Sequence, residues 1–523
     1  MSKRLNACLA LILALLLAFS GFALGEGTPL VTSMQAISDP SLATEDMQDP
    51  YSQLNPYTAK VYNPDPELYN TLFRALEARK KSVNISAFKN LSIGERNMTA
   101  NSLYAEAGYH FFYLNRLKLS SSGKTVTFTY RKLKDLPRMR ESLNARLSHL
   151  VYSVAPQSYT ELQKFMAVYE YLCKTSCYTD DMSDEMTTSP SSILLIGKGI
   201  CNGYANLMAY TLNRVGVKTE YVCDMAHAWN IVNLGGAWYH TDATWGAGLS
   251  PNDYDSLQWV LMDDEARLES LRLNGIDEPI ILGYPSSNEV TPPPCTDTQL
   301  MNYETIGKNY ALDLDGGKVY FEGPAGIDRM NLDGTGRETV LEVMATHMVF
   351  FNGTLYYIDT YDGFLYRLVP GQKPECLSRD EFILYLWQSG STLSYGSNAA
   401  GTDAKTISLL TPPAFSQGDT QWPEATVPRS RSFCVKIGFS KPLDPTQNLQ
   451  ERVYLLGDGG TPVPVHAIPS DDGLTLTLRP KDCVADYPFV TCVLTGDTAF
   501  MDGQTAEKSQ VFTVKIASEA KGK

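Results

Sequence analysis

Cys201, His227 and Asp242 fall in that order between Gly199 and Trp245. Twenty-six positions separate the cysteine from the histidine, and fifteen separate the histidine from the aspartate. A thiol, an imidazole and a carboxylate are the groups that nucleophilic acyl transfer requires. The thiolate attacks a carbonyl, the imidazole takes the thiol proton and later returns it to the leaving group, and the carboxylate orients the ring. Cys201 follows a Gly-Lys-Gly turn (Gly197, Lys198, Gly199) and opens a helical pattern. In that pattern Ala205, Met208, Ala209 and Leu212 recur at i, i+3, i+4 and i+7, which predicts one buried helix face. A thiol in the first turn of a helix sits at the positive end of the macrodipole, where the thiolate is favoured.

The flanking elements must bring the three groups together. Gly216 and Val217 close the helix, and Thr219 to Cys223 reads as a short strand. His227 begins a second strand (HAWNIV), and Trp238 to Asp242 forms a third, with Gly235-Gly236 as the two-residue hairpin turn between them. Antiparallel neighbours hold His227 and Asp242 side by side, and the helix packing across the sheet brings up Cys201. His240 is set aside as the base, on the expectation that it and Asp242 face opposite ways.

The motifs GxCxGYA at Cys201, HAWN at His227 and WYHxDxTW at Asp242 resemble the transglutaminase-like superfamily, a branch of the papain-like folds with many secreted bacterial members. The resemblance implies that Cys201, His227 and Asp242 are catalytic. It also implies that Gly199, Gly203, Tyr204, Trp229, Asn230 and Trp245 line or support the cleft, with Trp229 and Trp245 shielding the Cys–His pair. The Cys-to-His spacing is short for the family, which implies a trimmed loop before the histidine. An oxyanion would meet the Cys201 backbone N–H and one further donor. A lone cysteine is more often a small core residue; here three separate motifs in the family's order outweigh that reading. Folds of this kind also serve as binding modules, so a non-catalytic surface scaffold is the alternative.

At 523 residues the chain exceeds a single core, and 43% hydrophobic with 20% charged residues describes a globular multidomain protein. A net charge of −14 argues against nucleic acid as a partner. The locally basic run from Arg131 to Arg146 reads as the solvated face of a helix. Lys3 and Arg4 precede an apolar run from Leu9 to Phe19 and small residues up to Gly25, the pattern of a secretory signal peptide over residues 1–25. Membrane contact is expected only through that segment, if it stays uncleaved. Nine cysteines follow Cys8, an odd number that leaves a free thiol, with Cys201 the natural candidate. Cys173 and Cys177 are close enough in sequence to bridge. No second Cys/His pair has metal-ligand spacing, so neither a metal nor a cofactor is expected. The acidic loop Thr179 to Ser192 (Asp180, Asp181, Asp184, Glu185) lacks the ligand alternation of a calcium loop and reads as solvated.

The expected architecture is multidomain. Residues 26–57 read as a linker, 58–155 as a small α+β module, and 156–290 as the papain/transglutaminase-like α+β catalytic domain. Thr291-Pro292-Pro293-Pro294 is a stiff spacer. Residues 296–410 carry an echo, Gly317-Lys318-Val319-Tyr320-Phe321 against Gly353-Thr354-Leu355-Tyr356-Tyr357, with a weaker copy from Gly390. That period suggests propeller-like β repeats. After a second linker, Thr411 to Pro428, six alternating segments over 429–517 resemble the Ig-like β-sandwiches of bacterial cell-wall proteins. The whole predicts a secreted or cell-surface cysteine peptidase or protein-glutamine acyltransferase, acting on protein or peptide amides, with the cell wall as a candidate partner.

Overall fold

The computed structural model describes residues 29–42, 49–53, 62–107, 109–184, 186–224, 226–249, 256–273, 280–282, 291–301, 303, 306–379, 382–398, 402–412 and 419–519. The predicted signal peptide and Glu185 lie outside them. Val31–Ser38 (β1) corrects the linker reading of residues 26–57. It pairs antiparallel with Phe433–Phe439 near the other end of the chain and buries Val31 and Met34. Its partner is so distant in sequence that no local pattern announces it.

Pro66–Glu77 (α1) starts where the Asp65 carboxylate accepts the Leu68 N–H, with proline in the first turn. Ser82–Asn84 (β2), Ile93–Ala107 (α2), Leu114–Leu119 (β3) and Thr125–Tyr130 (β4) follow, in an antiparallel sheet of order β2-β4-β3. β3 begins only at Leu114, after a run of aromatic residues. Tyr109, Phe111, Phe112 and Tyr113 are all buried in turns, so the apolar run has no strand alternation. Leu136–His149 (α3) runs on into a π-helical turn, Leu150–Val154. The basic approach to α3 is not simply solvated. Arg131 is buried and donates to the Phe112 carbonyl, while Arg146 meets Asp486. Glu161–Thr175 (α4) opens with a reciprocal capping box between Thr160 and Gln163.

Cys177–Tyr178 (β5) pairs in parallel with Lys198–Gly199 (β6), and Ser192–Ile196 (α5) lies between them in sequence. Then come Cys201–Arg214 (α6), Thr219–Cys223 (β7), Ala228–Leu234 (β8), Ala237–Thr241 (β9), Ala243–Gly246 (α7), Asp264–Leu273 (α8) and Ile281–Leu282 (β10). The sheet order is β10-β7-β8-β9, all antiparallel, with α6 packed across β7 and β8. Leu234 and Ala237 close the β8–β9 hairpin around Gly235 and Gly236, whose φ values of 60° and 96° are those of a type I′ turn.

One apolar core runs through these elements. It takes Leu68, Leu72 and Phe73 from α1, Phe165 and Tyr169 from α4, and Tyr204 and Leu207 from α6. It continues past the Pro-rich stretch to Val319 and Phe321. That stretch is not a free spacer. Cys295 just after it is buried, its N–H donates to Asp264 Oδ2, and its carbonyl accepts the Asp264 N–H.

Between Tyr310 and Ser408 lie three successive antiparallel meanders of four, four and three strands. The sequence echo marks the second strand of each: Lys318–Gly323, Thr354–Asp359 and Thr392–Gly396. Each is preceded by a glycine at positive φ, Gly317 (63°), Gly353 (80°) and Gly390 (56°), a conformation other residues adopt only with strain. Among the described residues no closed propeller forms. The C-terminal part is a two-sheet β-sandwich with one shared core. All six predicted segments are strands, joined by β1. Thr420–Gln421 and Ala425–Pro428 correct the second linker, since both pair in parallel with Gln510–Ala517. Cys173 and Cys177 do not bridge; both are free thiols. No described helix is long and apolar enough to cross a membrane.

Candidate active site

Cys201 is the first residue of α6. Gly197 ends α5 in the left-handed conformation, and Gly199 passes so close to α5 that a Cβ there would lie 2.3 Å from Ser192 Oγ. Gly203, one turn along, faces the same serine and Ile193. These two glycines let the helix that Cys201 opens start against its neighbour. Ile200, at the cap position, is extended and provides no side-chain cap, so the positive helix end is left to the thiol and to what binds beside it. The helix is buried on nearly all sides rather than on one face, and Ala209 is among its less buried residues. Tyr204 is fully buried and accepts a hydrogen bond from Ser176, which places it beneath the site. Asn230 of β8 donates to the Ala205 and Glu220 carbonyls. It ties α6 to the sheet and acts as a strut.

His227 ends the tight β7–β8 connection, the short loop implied by its spacing from Cys201. Asp224 makes that turn, its Oδ1 accepting the N–H groups of Ala226 (2.7 Å) and His227 (2.6 Å). Asp242 lies just past the end of β9 and has two tasks. Oδ1 caps α7 by accepting the Thr244 and Trp245 N–H groups at 3.0 and 3.2 Å, and Oδ2 lies 2.7 Å from His227 Nε2. That leaves the ring's other nitrogen for Cys201. Burial alone would lower the His227 pKa. The charge and hydrogen bond of Asp242, together with the adjoining Cys201 sulfur, reverse this and carry it up to about 9. Burial would raise the Asp242 pKa, but His227 and Arg267 hold it down at about 2.

Two indoles frame the imidazole. Trp245 stacks on it at 5.1 Å and 11° between planes, and Trp229 at 5.8 Å and 16°. Arg267 of α8, fully buried, lies over both indoles at 4.1 and 4.4 Å from their centroids and donates to Asp242 Oδ2 at 3.0 Å. Sequence reasoning missed Arg267, because an arginine on a charge-rich helix reads as solvent-facing. It also missed Asp224, although an aspartate three residues before the histidine carries a turn signal.

His240 is not kept from Asp242 by strand alternation. Residues two apart on a strand share a face, and the separation arises because β9 ends at Thr241. His240 Nδ1 accepts the Trp229 indole N–H at 3.0 Å, and Nε2 lies 3.0 Å from Asp264 Oδ1. His240, Asp264 and Cys295 bring three metal-type ligand atoms within 4.8 Å of one another. The indole N–H, which can only donate, occupies the Nδ1 lone pair. The neutral ring therefore carries its proton on Nε2 and gives it to Asp264, which leaves no nitrogen lone pair for a metal.

Residues 148–243 match the transglutaminase-like superfamily core. Over that stretch the chain is similar to a transglutaminase-like core. The match takes in Cys201 and His227 and ends one residue after Asp242, so Arg267 lies beyond it. The kyphoscoliosis peptidases of Homo sapiens and Mus musculus are 26% and 25% identical to the chain over 150 residues. Those alignments cover 25% of this chain and 23% of each relative, so the chain spans about a quarter of the length of the curated relatives it matches. A solved structure described as a TGase is similar at 18% identity and a TM-score of 0.19, over 25% of this chain and 43% of that one.

Proposed function

We propose that the transglutaminase-like core is a cysteine-dependent acyl-transfer enzyme that acts on amide carbonyls of proteins or peptides, outside the cell or at its surface. The observation that carries this reading is the imidazole of His227, held at Nε2 by the buried Asp242 and turned to Cys201 at an uncapped helix N-terminus. In the reaction the Cys201 thiolate attacks the carbonyl carbon, and the oxyanion is met by the Cys201 N–H. His227 gives its proton to the departing amine, and a thioester remains on Cys201. Water then regenerates the thiol and releases an acid, whereas an amine yields a new amide. Hydrolysis is favoured, since the curated relatives are named peptidases. The β-repeat sheets, read as propeller-like, and the sandwich, read as Ig-like, would hold the core away from the cell surface.

Iodoacetamide labelling of the folded, reduced protein across roughly pH 5 to 9 tests the reading. Fast labelling at Cys201 well below the pH of an ordinary thiol is expected, absent in Cys201→Ala and slowed in His227→Ala. A Cys201 that labels no faster than a free cysteine would leave a binding scaffold. Incorporation of an added primary amine into a substrate protein would move the assignment from hydrolase to transferase.

A further inference from the structure

Arg267 is a costly residue to bury. Its side chain is fully inaccessible, and Nη2 bonds Asp242 Oδ2, while Nε and Nη1 have no hydrogen-bond partner among the described residues. The rest of the guanidinium is covered by the faces of Trp229 and Trp245. An arginine placed only to neutralise a carboxylate would engage both oxygens through its fork. Here Oδ1 is committed to capping α7, and the guanidinium converges on the oxygen that His227 uses.

We propose that Arg267 is a positioning residue that acts through Asp242 on His227, sharing the carboxylate so that the imidazolium stays acidic enough to give up its proton. This rests on the Cys201–His227 reading above. With Asp242 to itself, a buried imidazolium would hold its proton too firmly to deliver it to a leaving amine. A second cation on the same oxygen draws off part of that charge. The groups facing this centre are Cys201 from α6, Asp224 from the β7–β8 turn, His240 from β9, Asp242 ahead of α7, Arg267 from α8, and Tyr169 and Cys173 from α4, both buried and held neutral. Burial keeps His240 on the neutral side, so Arg267 is the one permanent cation among them.

Histidine 13Cε1 NMR titration of the full chain tests this, with His227→Gln assigning the resonance. Arg267→Gln keeps an N–H donor but loses the charge, and its His227 midpoint is expected to rise by about one pH unit. Arg267→Lys keeps the charge and should leave the midpoint within a few tenths of a unit of wild type. A folded Arg267→Gln with an unmoved midpoint would overturn the proposal. So would failure of both variants to fold, which would make Arg267 a packing residue only. If wild-type His227 titrates as an ordinary histidine and ignores Cys201→Ala, the underlying Cys–His pairing is what fails.

Discussion

Asp242 meets His227 through Oδ2 at 2.7 Å and keeps Oδ1 for the N-terminus of α7. The carboxylate that orients the imidazole is thus fixed by the backbone of the next helix and cannot rotate without uncapping it.

Asp242→Asn separates these tasks. The asparagine carbonyl still caps α7, but the charge facing His227 and Arg267 is gone. The His227 midpoint should fall, because Cys201 alone then opposes burial, and Cys201 labelling near pH 6 should drop at least tenfold, on the order of one pKa unit. Unfolding free energy should fall by about 3–5 kcal/mol, since Arg267 is left as an unpaired buried charge. Adding Arg267→Met should recover part of that loss in a denaturant titration. Full labelling and an unchanged midpoint in Asp242→Asn would contradict the geometry.

The same pair predicts the pH dependence of stability. His227 has a folded pKa raised from 6.5 to about 9. Its contribution is fully present below pH 6.5 and drains away as pH rises through about 9. Asp242 is depressed from 3.8 to about 2, so its contribution holds above pH 3.8 and is lost as pH falls through about 2. The stability gap between wild type and His227→Gln should therefore be widest on the acid side of neutrality, on the order of 3 kcal/mol, and shrink in alkali. Thermal melts across that range would read it, and a gap that widens above neutral pH would refute the sign.

Trp229→Phe keeps a ring over His227 but removes the N–H given to His240 Nδ1. An orphaned buried acceptor costs about 1–2 kcal/mol, and the freed nitrogen should let the His240 midpoint rise. Calorimetry and the same histidine spectra would check both; no change in either would mean that the indole does not set the tautomer.

Gly199→Ala would press a methyl group into Ser192 Oγ and within 2.9 Å of Ile193 Cδ1. Overpacking of about 1–3 kcal/mol is expected, with slower Cys201 labelling as the start of α6 shifts. A variant with wild-type melting and labelling would show that the α5–α6 approach can relax.

Much of this site was legible locally. A glycine turn opening a helix, a two-glycine hairpin and a histidine at a strand start are short-range features, and short-range sterics set them. The six sandwich segments and the repeat glycines were readable for the same reason, because strand alternation and positive-φ turns leave residue-level marks. The misreadings share a cause. β1 and the strand Ala425–Pro428 look like linker because their partners, Phe433–Phe439 and Gln510–Ala517, supply pairing that composition does not record.

The sequence by itself determined the local settings of Cys201, His227 and Asp242, since each sits in a motif whose backbone conformation follows from its neighbours. Only the tertiary structure decided that Asp242 serves two elements at once, that His240 is locked by Trp229 and Asp264, and that Arg267 is buried beneath two indoles. Those facts depend on which surfaces of β9, α7 and α8 meet. A charged residue's burial is set by what packs over it, and no window of sequence around Arg267 contains that information.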